Sequence, residues 1–381
     1  MTSHSFTRAD IDLSNWRARP YSTWSFQNVS EFVPSTVIRS TRKPEKPALD
    51  LGDFAKLAVD NLAGETIGLS DFLEESESDA LVIMRDGEII AEWQAAHFDP
   101  DRPHIIFSIS KSVTGLLAGI LIDRGALSLD ELVSTYVPDA QGSAYGDLKV
   151  KDLLTMTVAI DFSEAYLDKS GDYDRYRRAM LWNPEHPDEP TPTLRELLCS
   201  LPRAAHEHGT HHAYRSPNAD MAALVIEAAG GQRYAELFEN AIWKPLGAHA
   251  DAFLTVDRAG NARASGGLSM TARDLTRLGE LVRTGGHGIL PKRLVDELWE
   301  GGNREVWAAG EQRLLYPGGS YRYFWYETGT GALAGMGIHG QQVWIDRATK
   351  TVIVRQASET LPVNDRLDQR VIAMMKAISA T

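Results

Sequence analysis

Two apolar periods alternate along this chain. In "ALVIMRDGEIIAEW" the runs Ala80 to Met84 and Glu88 to Trp93 are split by Asp86-Gly87. Short apolar runs around an Asp-Gly step predict an antiparallel hairpin. After residue 107 the period lengthens: Val113, Leu116, Leu117, Ile120 and Leu121 recur at i, i+3, i+4, i+7 and i+8 and stop near Gly125. That spacing predicts a helix with one face committed to a core. Residues 126–260 stay mostly helical, joined by Pro-rich connections such as "LWNPEHPDEPTPTLRELLCSL". Strand character returns in "QQVWID" and "KTVIVRQ", around Asp346 to Lys350, and "RLDQRVIAMMKAIS" closes the chain as a helix. Residues 1–50 sustain no period and read as an extended arm. These elements predict an α+β fold: an antiparallel sheet flanked by helices, from residues 51–125 and 261–381, with a helical lobe, 126–260, inserted and a cleft between them.

Composition acts by exclusion. With 381 residues, 43% of them hydrophobic, the chain can bury a large core. Its 52 acidic against 39 basic side chains leave a formal net charge of -13, a field that repels phosphate backbones and anionic headgroups. Nucleic acid and membrane surfaces are therefore not expected partners. The single cysteine, Cys199 in "LRELLCSL", excludes an intrachain disulfide and reads as a small buried hydrophobe. No stretch approaches the ~20 apolar residues of a membrane span, and "MTSHSFTRADIDLSNW" has no secretory pattern. A cytoplasmic protein is expected, with a homodimer left open.

The candidate chemistry lies in "FSISKSVTGLLAGIL", where Ser108 precedes Lys111 by one helical turn. Such spacing gives a serine nucleophile a nearby base, provided burial lowers the lysine pKa. Alone it reads first as a capped helix start with a solvated lysine. The same spacing at Ser40 and Lys43 runs into "PEKP", which no helix tolerates. Downstream, Tyr214 alone of the 12 tyrosines has Ser or Asn two positions on, in "GTHHAYRSPNADMAALVIE".

Ser-x-x-Lys followed about a hundred residues later by Tyr-x-Ser resembles the penicillin-recognising serine hydrolases: class C β-lactamases, DD-peptidases and related esterases. "ALSLDELVSTYVPDA", "ASGGLSMTARDLTRLGELV", "IDFSEAY" and "GIHGQQVWID" agree with that family, and with its nylon-oligomer (6-aminohexanoate-dimer) hydrolase branch in particular. The resemblance implies a β-lactamase/transpeptidase-like fold and an acyl-enzyme formed on Ser108. Lys111 and Tyr214 would move the proton, the Lys111 ammonium favouring a Tyr214 phenolate or a proton shared between them, and the N–H groups of Ser108 and Ile338 would form the oxyanion hole. It further implies substrate contacts from Tyr166, Ser216, Asn218, Ser265 and His339, and no cofactor. His339 stands where many relatives have lysine, which weakens carboxylate recognition. Ser265 replaces an asparagine of the nylon-oligomer branch. Its acidic group for an amino end is not evident, the matching position falling on Arg177.

The expected substrate is accordingly a small carboxylic ester, with linear amides second. β-Lactamase or DD-peptidase activity is the alternative within the family. Outside it stand a metal hydrolase built on His206, His208, His211 and His212, and a catalytically silent binding protein. Neither HExxH nor CxxC occurs, so no metal is expected, and the lack of a GxSxG pentapeptide removes a conventional nucleophile-elbow esterase.

Overall fold

The computed structural model describes residues 6–43 and 49–381; the start of the arm and the Pro-rich stretch after Lys43 lie outside the described residues. At its centre is a seven-stranded antiparallel sheet, ordered Glu88–Gln94, Ser78–Arg85, Thr351–Ala357, Gln341–Asp346, Ala332–Gly337, Trp325–Glu327, Ser320–Arg322. The early hairpin turns through Asp86 and Gly87 at φ of 51° and 88°, the two left-handed positions such a turn requires. Strand Thr351–Ala357 pairs with Ser78–Arg85, Ile353 opposite Ile83, so early and late parts of the chain share one sheet. Helix Ala272–Arg283 packs on it.

A smaller four-stranded sheet runs Ser35–Ile38, Ala252–Thr255, Leu268–Met270, His104–Ile105. It draws the amino-terminal arm into the fold and takes a strand from the end of the predicted helical stretch. Within that stretch, helices such as Val150–Leu154, Asp172–Ala179, Leu194–Leu198 and Pro217–Gly230 alternate with long irregular connections. The arm is less extended than its pattern predicts: it includes a one-turn helix, Ser22–Ser25, and buries Trp16, Phe26, Val29, Val33 and Ile38. Large apolar side chains scattered without period bury as well as periodic ones, at roughly 1.5–3 kcal/mol each.

Helix Ile109–Asp123 is buried on all sides from Ile109 to Leu121, where the stripe predicts one buried face. It runs between strands of the large sheet and helix Pro217–Gly230. Gly115 allows the approach, since a Cβ there would lie 1.8 Å from Tyr323 O. The helix's polar side chains find partners inside: Ser112 Oγ donates to Phe324 O at 2.9 Å, Thr114 Oγ1 to Ser110 O at 3.0 Å, and Ser110 Oγ accepts from Leu268 N at 3.1 Å. Ser110 is thereby a structural residue. Cys199 is half-buried, at the end of a five-residue helix.

Candidate active site

Ser108 is the residue before the first turn of the central helix, and Lys111 lies one turn in. Lys111 Nζ is 2.7 Å from Ser108 Oγ and donates to Ser265 O, also at 2.7 Å. The lysine is 1% exposed. Burial, the largest influence, holds its ammonium down at about 7; Glu164 works against the shift, Arg263 with it, and Asp220 against it. A lysine there can shed its proton near neutrality.

Tyr214 closes the triangle. Its hydroxyl hydrogen-bonds Ser108, and Lys111 Nζ stands 4.9 Å from the centre of its ring. Burial raises the phenol well above its ordinary range, Tyr326 and Glu164 add to this, and only the Ser108 hydrogen bond opposes it appreciably. Both shifts run against a Tyr214 phenolate beside a Lys111 ammonium: burial favours the protonated phenol and the neutral amine. In a dry site the cost of a charged state falls on both groups, and it lowers the pKa of a base while raising that of an acid.

The end of strand Ala332–Gly337 comes against the nucleophile's backbone. A Cβ on Gly337 would lie 2.6 Å from Ile106 O and 2.9 Å from Ser108 N, so only glycine permits the approach. Ile338 follows directly, and it shares a cavity of about 350 Å³ with Ser108, Tyr166, Tyr214, Tyr326 and Met336. The charged side chains on the cavity wall are carboxylates: Glu311, Asp365 and Asp368. Glu311 forms a two-point ion pair with Arg215, at 2.7 and 2.8 Å. Asp368 is pushed up to about 7, chiefly by burial and next by Glu359.

Of the other residues singled out in the sequence, Tyr166 stands in the cavity, its hydroxyl donating to Glu164 at 2.9 Å. Four take partners away from it. Ser216 gives its N–H and its hydroxyl to the Glu164 carboxylate. Asn218, fully buried, accepts from the Tyr145 hydroxyl at 3.1 Å. Ser265 is 1% exposed; its N–H donates to Asp220 at 2.7 Å and its carbonyl holds Lys111. His339 is 3% exposed, its Nδ1 is 2.7 Å from Glu359 O, and burial lowers its pKa to about 3. Its ring packs on Phe26 and Phe107 instead of facing the cavity. Arg177 donates to Tyr166 O at 2.9 Å.

The histidine cluster divides: the His206 and His211 rings meet edge-on at 6.0 Å between centroids, and the other two take separate partners. His208 Nδ1 accepts from Ala159 N at 2.9 Å, with Nε2 3.2 Å from Asp147, and His212 is buried between Trp307 and Tyr321. Among the described residues no three His, Cys, Asp or Glu side chains converge as a metal-ligand set.

Glu164 is the residue that sequence reasoning passed over. It lies in "IDFSEAY", two positions before Tyr166, and nothing local marks it. Folding makes it the acceptor for both Ser216 and Tyr166 and the leading electrostatic influence on Lys111 after burial.

A family model described as Beta-lactamase matches residues 70–373. The chain belongs to the β-lactamase family. It is 35% identical over 353 residues to 6-aminohexanoate-dimer hydrolase of Paenarthrobacter ureafaciens, covering 91% of this chain and 88% of that protein. Among solved structures, a Bacillus anthracis protein provisionally named 6-aminohexanoate-dimer hydrolase superposes with a TM-score of 0.88 at 23% identity, over 99% of this chain and 98% of that one. EstCE1, a hydrolase with promiscuous acyltransferase activity, superposes at 0.61 with 18% identity, over 81% and 96%. A penicillin-binding protein of Bacillus halodurans gives 0.61 at 16% identity, over 81% and 99%. This β-lactamase-family chain is thus a serine hydrolase with the β-lactamase/transpeptidase-like fold, related to 6-aminohexanoate-dimer hydrolase. No helix among the described residues is long and apolar enough to cross a membrane.

Proposed function

We propose that this hydrolase cleaves small carboxylic esters, and linear amides such as 6-aminohexanoate oligomers more slowly, through an acyl-enzyme on Ser108. The observation that carries the reading is the 2.7 Å approach of a desolvated Lys111 Nζ to Ser108 Oγ. The neutral amine takes the hydroxyl proton as Oγ bonds to the substrate carbonyl carbon. The N–H groups of Ser108 and Ile338 hold the resulting oxyanion. Collapse breaks the bond to the leaving group, which takes a proton from Tyr214, itself resupplied from Lys111. Water then repeats the sequence on the acyl-enzyme and frees the acid.

An ester is the easier substrate, because an alkoxide leaves with less protonation help than an amine. The buried, neutral His339 supports this over β-lactam hydrolysis, since it presents no cation to the cavity where relatives with lysine at that motif would hold the β-lactam carboxylate. The test is intact-protein mass spectrometry with a fluorophosphonate, beside rates on p-nitrophenyl esters, nitrocefin and linear 6-aminohexanoate dimer. One adduct is expected, absent from Ser108→Ala. An adduct that survives Ser108→Ala, or nitrocefin as the best substrate by kcat/KM, overturns the proposal.

A further inference from the structure

The residue before the nucleophile has an uncommon backbone. Phe107 sits at φ +41°, in the left-handed region that a bulky residue enters only when its surroundings impose it. The Ser108 N–H belongs to the peptide between these two residues, so the torsions at Phe107 set the direction in which that N–H points. Whatever holds Phe107 therefore aims half of the proposed oxyanion hole.

The Phe107 ring is 1% exposed and enclosed by aromatic rings. Trp16 stacks on it at 6.3 Å between centroids and 16° between planes. Phe26 meets it edge-on at 5.0 Å, Trp182 edge-on at 6.0 Å, and His339 at 5.4 Å. Trp16 and Phe26 both come from the amino-terminal arm, and each is fixed in turn. Trp16 Nε1 donates to Trp182 O at 3.0 Å, and Phe26 O accepts from Ile105 N at 2.8 Å, just ahead of the nucleophile. Phe26 also touches His339, at 5.3 Å between ring centroids, and His339 directly follows Ile338. One packed cluster thus adjoins the backbone of both proposed oxyanion donors.

We infer that Trp16 and Phe26 are positioning residues: through the Phe107 and His339 rings the arm holds the Ser108 and Ile338 N–H groups on the substrate's developing oxyanion. This assigns the arm, none of whose described residues lines the cavity, a part in turnover. It rests on the serine reading above. The aromatic contacts act on orientation, so their loss affects the transition state, where the oxyanion forms, more than substrate binding.

The experiment compares Trp16→Leu, Trp16→Phe, Phe26→Leu and Ser108→Ala on a p-nitrophenyl ester and its thionoester, whose sulfur accepts hydrogen bonds poorly. Folding is checked by near-UV circular dichroism and urea unfolding. Removing part of an oxyanion hole costs on the order of 10²–10³ in kcat; a misaimed donor should cost about 10–100-fold in kcat, with KM within about threefold. The preference for ester over thionoester should shrink by a similar factor, and Trp16→Phe should restore most of both. A folded Trp16→Leu or Phe26→Leu with wild-type kcat, or with lowered kcat and an unchanged ester-to-thionoester ratio, overturns the inference. So does loss of folding in every arm variant, which makes the cluster structural only. Activity retained in Ser108→Ala overturns the serine reading, and this inference with it.

Discussion

Lys111 Nζ and Ser108 Oγ stand 2.7 Å apart at a place where burial, opposed by Glu164, brings the lysine to about 7. Only the neutral amine can accept the serine proton. Protonation below that value must therefore switch attack off, and kcat/KM should rise about tenfold per pH unit up to about 7 and then level. A pH profile on a p-nitrophenyl ester, taken where the fold is intact, checks this; a flat line through neutrality contradicts it. Lys111→Arg, charged at every accessible pH, should lose roughly 10²–10⁴ in kcat with no activity recovered at high pH.

Tyr214 holds its proton firmly, and its hydroxyl hydrogen-bonds Ser108. Its predicted service is delivery of a proton to the leaving group, so the effect of Tyr214→Phe should depend on that group. p-Nitrophenolate departs unprotonated and should lose on the order of tenfold, whereas an amide, whose amine must be protonated, should lose at least ~10²-fold. Parallel kcat measurements on the two substrates check the difference. Equal losses would mean that Tyr214 takes part in serine deprotonation.

Glu164 favours the charged form of Lys111 and accepts hydrogen bonds from Ser216 and Tyr166. Glu164→Gln removes the negative charge and keeps most of the shape. The lysine should then release its proton more easily, and the acid limb of kcat/KM should move to lower pH. A limb that stays in place or moves upward shows that the carboxylate does not set the proton affinity of Lys111.

The division between what was legible in the chain and what was not follows from range. Asp86-Gly87 announces its hairpin because the turn geometry is local, and Ser108 with Lys111 is legible because one helical turn fixes their spacing. Tyr214 became readable only through the order of motifs along the chain. The burial of His339 and Asn218 and the reach of Glu164 to Ser216, across 52 positions, are tertiary outcomes that no period encodes. The arm hid its role for a related reason. Trp16 is anchored by Trp182, 166 positions away, and an isolated tryptophan looks the same in a solvent-facing arm as in an aromatic cluster.

Asp220 and Arg263 form an ion pair behind the site, 1% and 2% exposed. Tyr176 and Ser265 complete it: the Tyr176 hydroxyl donates to Asp220, Arg263 donates to Ser265 Oγ, and Ser265 N donates to Asp220 at 2.7 Å. The same Ser265 presents its carbonyl to Lys111, which links this network to the orientation of the base. Arg263→Met should leave Asp220 buried without its main counter-charge and cost about 3–5 kcal/mol of stability, read as a lowered urea midpoint with an unchanged slope. Adding Asp220→Asn should recover part of that loss, because the charge that lacked a partner is gone. Activity should respond differently: the double variant still lacks the carboxylate that fixes Ser265, so kcat should stay depressed while stability returns. If kcat recovers in step with the urea midpoint, the pair serves the fold alone and Ser265 does not transmit its position to Lys111.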